Sequence, residues 1–292
     1  MNAVVAGACE HAERLGGRAV GIRGGFAGLA EQRADPIALA DARANVDESG
    51  TWLGTSRWTA LSTPEGLELC RRALRDLGLT ALLVIGGNGS ALGARALADD
   101  VPVAFVPATI DRDINGSEST IGIDSAIAYA VATIDQLRIT GRSLPGRAFL
   151  VQTLGAPNGF LADAVAAAAG LDHALVPERE IDLDAVAAAL RELAPSGAAI
   201  AVMSEAVGDA VRIGEDLAGR AGIRVHPTIL GHAQRAATPS RHDRAMGQAA
   251  GRAAVDAVAD ARSTFIGLGR DGSVSTLALD GEPPYDRALH AL

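Results

Sequence analysis

The chain has 292 residues, 48% of them hydrophobic and 21% charged, which suits two compact lobes or one large domain and excludes global disorder. A formal net charge of −9 argues against a nucleic-acid surface, which needs a basic stripe. All 26 basic residues are arginine, so neither a Walker-type nor a Schiff-base lysine exists.

In chain order, residues 2–14 read as a helix, so the chain opens without a strand. A strand is predicted at Ala19–Ile22, followed by a glycine turn, and another at Ala81–Ile85. The second runs into a glycine-rich loop, with a helix from about Ser90. "VPVAFVPATI" is the next strand, and "SAIAYAVATIDQLRITG" has helical spacing with Gly141 as its stop. Strands are predicted again at Ala148–Thr153, Ala174–Val176 and Ala198–Met203, each followed by helix-like sequence. Apolar strands alternating with helices indicate parallel sheets covered on both faces. The first lobe is expected to end near Thr140. Cys9 and Cys70 sit in apolar surroundings without metal spacing and read as small core residues of a reducing cytoplasm. No uninterrupted apolar run of about 18 residues and no signal-like opening is present, so neither membrane insertion nor export is expected.

Four stretches carry candidate chemistry. "GGNGS", Gly86 to Ser90, stands between a strand and a helix, where backbone N–H groups and the helix dipole favour an anion. "ATIDRD" ends the next strand with Thr109, Asp111, Arg112 and Asp113, and ligands of open α/β sheets collect at such strand ends. "LGHAQRAATPSRHDR" places His232 and Arg235 on one face if helical, a pattern suited either to gripping phosphate or to a solvated surface. Glu205 in "SEAVG" closes another apolar strand.

Together with "MNAVV", "GGFAGL", "GTWLGTSR" and "LVPE", these motifs run in order across nearly the whole chain, and in that order the sequence resembles the phosphofructokinase family. The resemblance implies an α/β fold of two Rossmann-like lobes with mostly parallel sheets and an active-site cleft between them. It divides the chain into a nucleotide lobe, 1–140 with about 236–275, and a sugar-phosphate lobe, 141–235 with about 276–292. It implies ATP and Mg2+ as cofactors, a homo-oligomer (dimer or tetramer) with shared sites, and transfer of a phosphoryl group to the 1-hydroxyl of fructose 6-phosphate. Asp111 then matches the base of the family's "TIDND", Asp113 the acid that arranges metal and substrate, and Thr109 a sugar contact. Arg235 and His232 look like the 6-phosphate grip, and Glu205 like the acid that orients sugar hydroxyls. Leu154 and Gly155 stand in the family's "MGR". Arg147 matches an arginine donated to a neighbouring subunit, and His226, with Arg224 close by, falls where a second is donated. Arg57, Trp58, Gly87, Asn88, Gly89, Ser90 and Gly93 match nucleotide contacts. Small residues at Gly89 and Ala108, where the pyrophosphate-using branch carries an acid and a lysine, favour a nucleotide donor.

The sequence departs from the family at four places. The loop has Asn88 where the family's "GGDGS" has its metal-binding Asp, Ala156 replaces the arginine of "MGR", and Arg112 replaces the amide of "TIDND". The family's first strand and "GGDxPG" loop would be expected ahead of "MNA", and the given sequence starts at Met1. Two functions stay open on this reading: a sugar-phosphate kinase, or a relative that binds a phosphorylated ligand or partner without turnover. Arg112 could stabilise charge on the transferring group or mask the carboxylates.

Overall fold

The structure is a computed structural model and describes residues 1–279. The elements are α1 (Asn2–Arg14), β1 (Val20–Ile22), α2 (Gly25–Ala30), β2 (Ala34–Pro36), α3 (Leu39–Ala44), α4 (Pro64–Asp76), β3 (Leu82–Gly86), α5 (Asn88–Ala96) and β4 (Val103–Pro107). They continue with α6 (Ile123–Ser143), β5 (Arg147–Thr153), α7 (Phe160–Ala168), β6 (Ala174–Leu175), α8 (Leu183–Leu193), β7 (Ile200–Ser204), α9 (Ala210–Ala221), β8 (Arg224–Ile229), α10 (Arg241–Ala259), β9 (Thr264–Leu268) and β10 (Val274–Ala278). The chain forms two compact units.

The first unit holds residues 1–109 and 114–122 and takes up the chain again from Thr238. Its main sheet has the order β10-β9-β4-β3, parallel except for β10, which runs antiparallel to β9. Alternation along β4 sends Val103 and Phe105 to one face and Ala104 and Val106 to the other. Phe105 packs with Cys70 and Leu74 of α4 and Ala94 of α5. Val106 packs with Val4 of α1 and Met246 and Ala250 of α10. Both faces are therefore covered, as the continuous apolar strands require. Thr63 caps α4 by accepting from the Gly66 N–H at 3.1 Å, and Pro64 occupies the first helical position, where a missing N–H costs nothing.

The second unit holds 110–113 and 123–237, with an all-parallel sheet of order β6-β7-β5-β8. Phe149 and Val151 of β5 face α6 and α7, while Ala148 and Leu150 face α8 and α9. β8 is an edge strand, which is where Pro227 can sit without breaking a ladder on both sides. That proline and the half-exposed alternation of β8 hide it from a reading based on apolar runs.

Three expectations change. The division falls between Gly122 and Ile123, not at 140, because α6 packs through Ala126, Ala130 and Ile134 onto β5 and α7. Residues 276–278 belong to β10 and hence to the first unit's sheet, and 280–292 lie outside the described residues. Gly141 does not stop its helix, which continues to Ser143. It is glycine because an added Cβ would stand 2.3 Å from the Gly197 carbonyl oxygen. No helix among the described residues is long and apolar enough to cross a membrane.

Candidate active site

In the first unit, the parallel register pairs Gly86 with Pro107, and the Ala108 N–H donates to the Gly86 carbonyl at 2.8 Å. The glycine-rich loop and the end of β4 are thus neighbours at one sheet edge. Gly87 stands just before α5, and Asn88, Gly89 and Ser90 form its first turn, where the Ser90 N–H donates to the Gly87 carbonyl at 2.9 Å. Asn88 and Gly89 are exposed. A Cβ on Gly89 would meet nothing within 4 Å, so the room read from its small size exists. A Cβ on Gly87 would stand 3.7 Å from the Thr109 Cβ, which brings two predicted site residues together. Gly93 has a packing reason: a Cβ there would lie 2.5 Å from the side chains of Phe26 and Leu61. Arg57 is exposed, and the half-buried Trp58 packs against the core of the first unit.

The "ATIDRD" signature crosses from the first unit to the second between Thr109 and Ile110. In the second unit, Nη2 of Arg235 lies 3.1 Å from both Oδ atoms of Asp111, joining residues 124 apart in sequence. His232 and Arg235 lie on one short 3-10 turn, Gly231–Ala236, where residues three apart share a face. The Asp111 backbone is fixed too: the buried Asn158 donates from Nδ2 to its carbonyl at 2.8 Å. Asn158 also accepts from the Phe160 N–H at 3.0 Å, and its own carbonyl accepts from Ser204 Oγ at 2.8 Å. Arg112 is 6% exposed, has φ of +46° and lies with Cζ 4.0 Å from the centre of the Phe160 ring. This left-handed conformation costs a bulky residue roughly 1–2 kcal/mol, and amides tolerate it best. Asp113 completes the turn, half-buried.

Glu205 uses Oε1 to accept from the N–H groups of Gly155 and Ala156, at 3.0 and 3.1 Å. It braces the turn that replaces the family's "MGR", and Gly155 supplies the φ of +123° that the turn needs. The Leu154 N–H is held by Oε1 of the fully buried Gln234 at 2.9 Å. Asn158 and Gln234 were not among the expected site residues. The "APNG" that contains Asn158 signals only a turn, and Gln234 lies between His232 and Arg235 with nothing in the sequence to mark it as the inward-facing one.

Arg147 opens β5 and is paired in register with Arg224 on β8, so the two guanidinium-bearing residues are cross-strand neighbours. His226 is paired with Phe149 and tilts against its ring at 5.9 Å. Arg147, Arg224 and His226 therefore share one face of the sheet.

Among the described residues no cluster of three or more His, Cys, Asp or Glu is placed to hold an ion alone. A magnesium site built from one carboxylate and nucleotide oxygens needs no such cluster, and Asp113 fits that requirement; Asn88 offers a neutral oxygen.

A sequence profile described as "Phosphofructokinase" matches residues 1–258. The chain belongs to the phosphofructokinase family. It is 34% identical over 274 residues to the ATP-dependent 6-phosphofructokinase 1 of Thermus thermophilus, covering 91% of this chain and 85% of that one. It is 33% identical over 300 residues to the ATP-dependent 6-phosphofructokinase 2 of Bacteroides thetaiotaomicron, covering 99% and 92%. Among solved structures, Pichia pastoris phosphofructokinase superposes with a TM-score of 0.86 at 24% identity, over 96% of this chain. The pyrophosphate-dependent enzyme of Marinobacter aquaeolei superposes at 0.81 with 20% identity, over 95% of this chain and 79% of that one. The chain spans only 33% of the Pichia chain and 42% of the Saccharomyces cerevisiae one. These phosphofructokinases share its α/β fold with parallel sheets.

Proposed function

We propose that this phosphofructokinase-family protein is an ATP-dependent kinase acting on the 1-hydroxyl of fructose 6-phosphate or a closely related sugar phosphate. The observation that carries the reading is the Asp111–Arg235 pair, which holds a carboxylate and a guanidinium together in the second unit. Asp111 takes the hydroxyl proton as the sugar oxygen bonds to the γ-phosphorus, the bond from that phosphorus to the bridging oxygen breaks, and ADP leaves. Arg235 and His232 grip the 6-phosphate, and Glu205, which braces the turn at Leu154–Ala156, orients the sugar hydroxyls. Thr109 contacts the sugar, and the Gly87–Ser90 loop, with Arg57 and Trp58, serves the nucleotide. Magnesium, when bound, neutralises phosphate charge, and Asp113 is the residue that would hold it. The ATP-dependent relatives and the open space beside Gly89 favour a nucleotide over pyrophosphate. A homo-oligomer in the cytoplasm completes the reading, with Arg147 and the Arg224–His226 strand serving a neighbouring subunit.

The test is a coupled assay with ATP or pyrophosphate as donor and a panel of sugar phosphates as acceptors, beside calorimetric titration of each. Transfer from ATP to a ketose 6-phosphate supports the proposal. Binding of sugar phosphate and ATP with no transfer to any acceptor rejects it in favour of a binding protein. Turnover with pyrophosphate that equals or exceeds turnover with ATP rejects the donor.

A further inference from the structure

We infer that Arg112 is a positioning residue: its buried guanidinium, stacked on Phe160, holds the Asp111–Asp113 turn against the start of α7 and so aims Asp111. The inference rests on the reading of Asp111 as the base. An arginine cannot shed its proton to ease burial, so a guanidinium excluded from water needs a fixed electrostatic partner. The face of Phe160 is one, with Cζ 4.0 Å from the ring centre and only 6% of Arg112 exposed. A cation so held is a fixed support and not a mobile charge that follows a transferring phosphoryl group.

The second anchor is independent. Asn158 bonds the Asp111 carbonyl and the Phe160 N–H with its two side-chain ends, at 2.8 and 3.0 Å. Two successive residues of the turn are therefore docked on one three-residue segment, Asp111 through its backbone and Arg112 through its side chain. Between them the orientation of the Asp111 side chain is fixed. The left-handed φ of +46° at Arg112 fits this account, because such a conformation in a long side chain persists only where its surroundings over-determine it.

The test compares Arg112→Met, Arg112→Lys, Phe160→Leu and the double variant Arg112→Met/Phe160→Leu by hydrogen exchange and steady-state kinetics. Exchange of the amides of residues 111–114 should accelerate about tenfold in Arg112→Met and in Phe160→Leu. The double variant should go little further. The kcat for the sugar phosphate should fall about 10- to 100-fold in both single variants, with KM within about threefold of wild type, and Arg112→Lys should restore part of it. A role in stability alone would lower the melting temperature and leave kcat at saturating substrate unchanged, which overturns the inference. So does a rise in kcat for Arg112→Met, which would mean that Arg112 masks the carboxylates, or exchange rates that simply multiply in the double variant. If wild type transfers no phosphoryl group, the kinase reading fails, and the exchange comparison still decides whether Arg112 holds the turn. If Arg112→Met does not fold, Phe160→Leu and Arg112→Lys carry the same comparison.

Discussion

Asp111 meets Arg235 through its carboxylate and Asn158 through its backbone carbonyl. As the base it should carry a factor of about 10² to 10⁴ in kcat, so Asp111→Asn is expected to lower turnover by that much. From sequence alone the same variant is expected to leave sugar-phosphate affinity unchanged. The ion pair with Arg235 alters this, since on the proposed reading a sugar phosphate draws Arg235 away from a carboxylate. The pair is partly exposed, so its strength is about 0.2–1 kcal/mol. Asp111→Asn should therefore bind fructose 6-phosphate up to about fivefold more tightly by calorimetry. Weaker binding would show that the two groups cooperate on the sugar. Asn88→Asp makes the complementary case on the nucleotide side. A carboxylate on this exposed first residue of α5 should strengthen ATP binding about tenfold with magnesium present, and weaken it without. Calorimetric titration with and without the metal separates the two. Equal effects in both arms would remove Asn88 from the metal's surroundings.

The helices show how a glycine read as punctuation can be a contact. Gly141 lies inside α6, where alanine would gain up to about 1 kcal/mol in helix propensity. Its Cβ would meet the Gly197 carbonyl oxygen at 2.3 Å, a backbone atom that cannot step aside. Gly141→Ala should therefore destabilise by about 1–3 kcal/mol despite the propensity gain. At this chain length that lowers the melting temperature by roughly 2–4 °C per kcal/mol. Gly93→Ala meets only the ends of the Phe26 and Leu61 side chains, which can rotate, and should cost less. Thermal melts rank the two, and the opposite order would show that the α6–Gly197 contact has slack. β8 teaches the converse: a strand whose exposed edge, proline and charged residues leave no apolar run needs its neighbour β5 to be recognised.

For the molecule as a whole, both cysteines are buried as expected, and burial pushes their thiols from the usual 9.0 up to about 11. An unfolded chain would ionise first. Their contribution to stability is therefore complete below pH 9 and lost as pH rises toward 11. Denaturant midpoints should fall through that window, and a Cys9→Ala/Cys70→Ala variant should fall less steeply; parallel curves would assign the loss to other groups. The expected homo-oligomer is checked by light scattering at micromolar concentration. A monomer that binds sugar phosphate normally would remove Arg147 and His226 from any shared site. The sequence by itself determined the family and the α/β class, because ordered motifs and unbroken apolar strands are local patterns that survive without neighbours. It also singled out Asp111, Arg235, Glu205 and the Gly87–Ser90 loop as candidates, because their residue types suit the proposed chemistry. Only the tertiary structure decided what these side chains touch. The Asp111–Arg235 pair, the Asn158 brace, the buried Gln234 and the seat of Arg112 on Phe160 each join residues that chain connectivity keeps apart. The same packing moved the division of the units to Gly122, since where α6 belongs depends on which sheet its buried face covers.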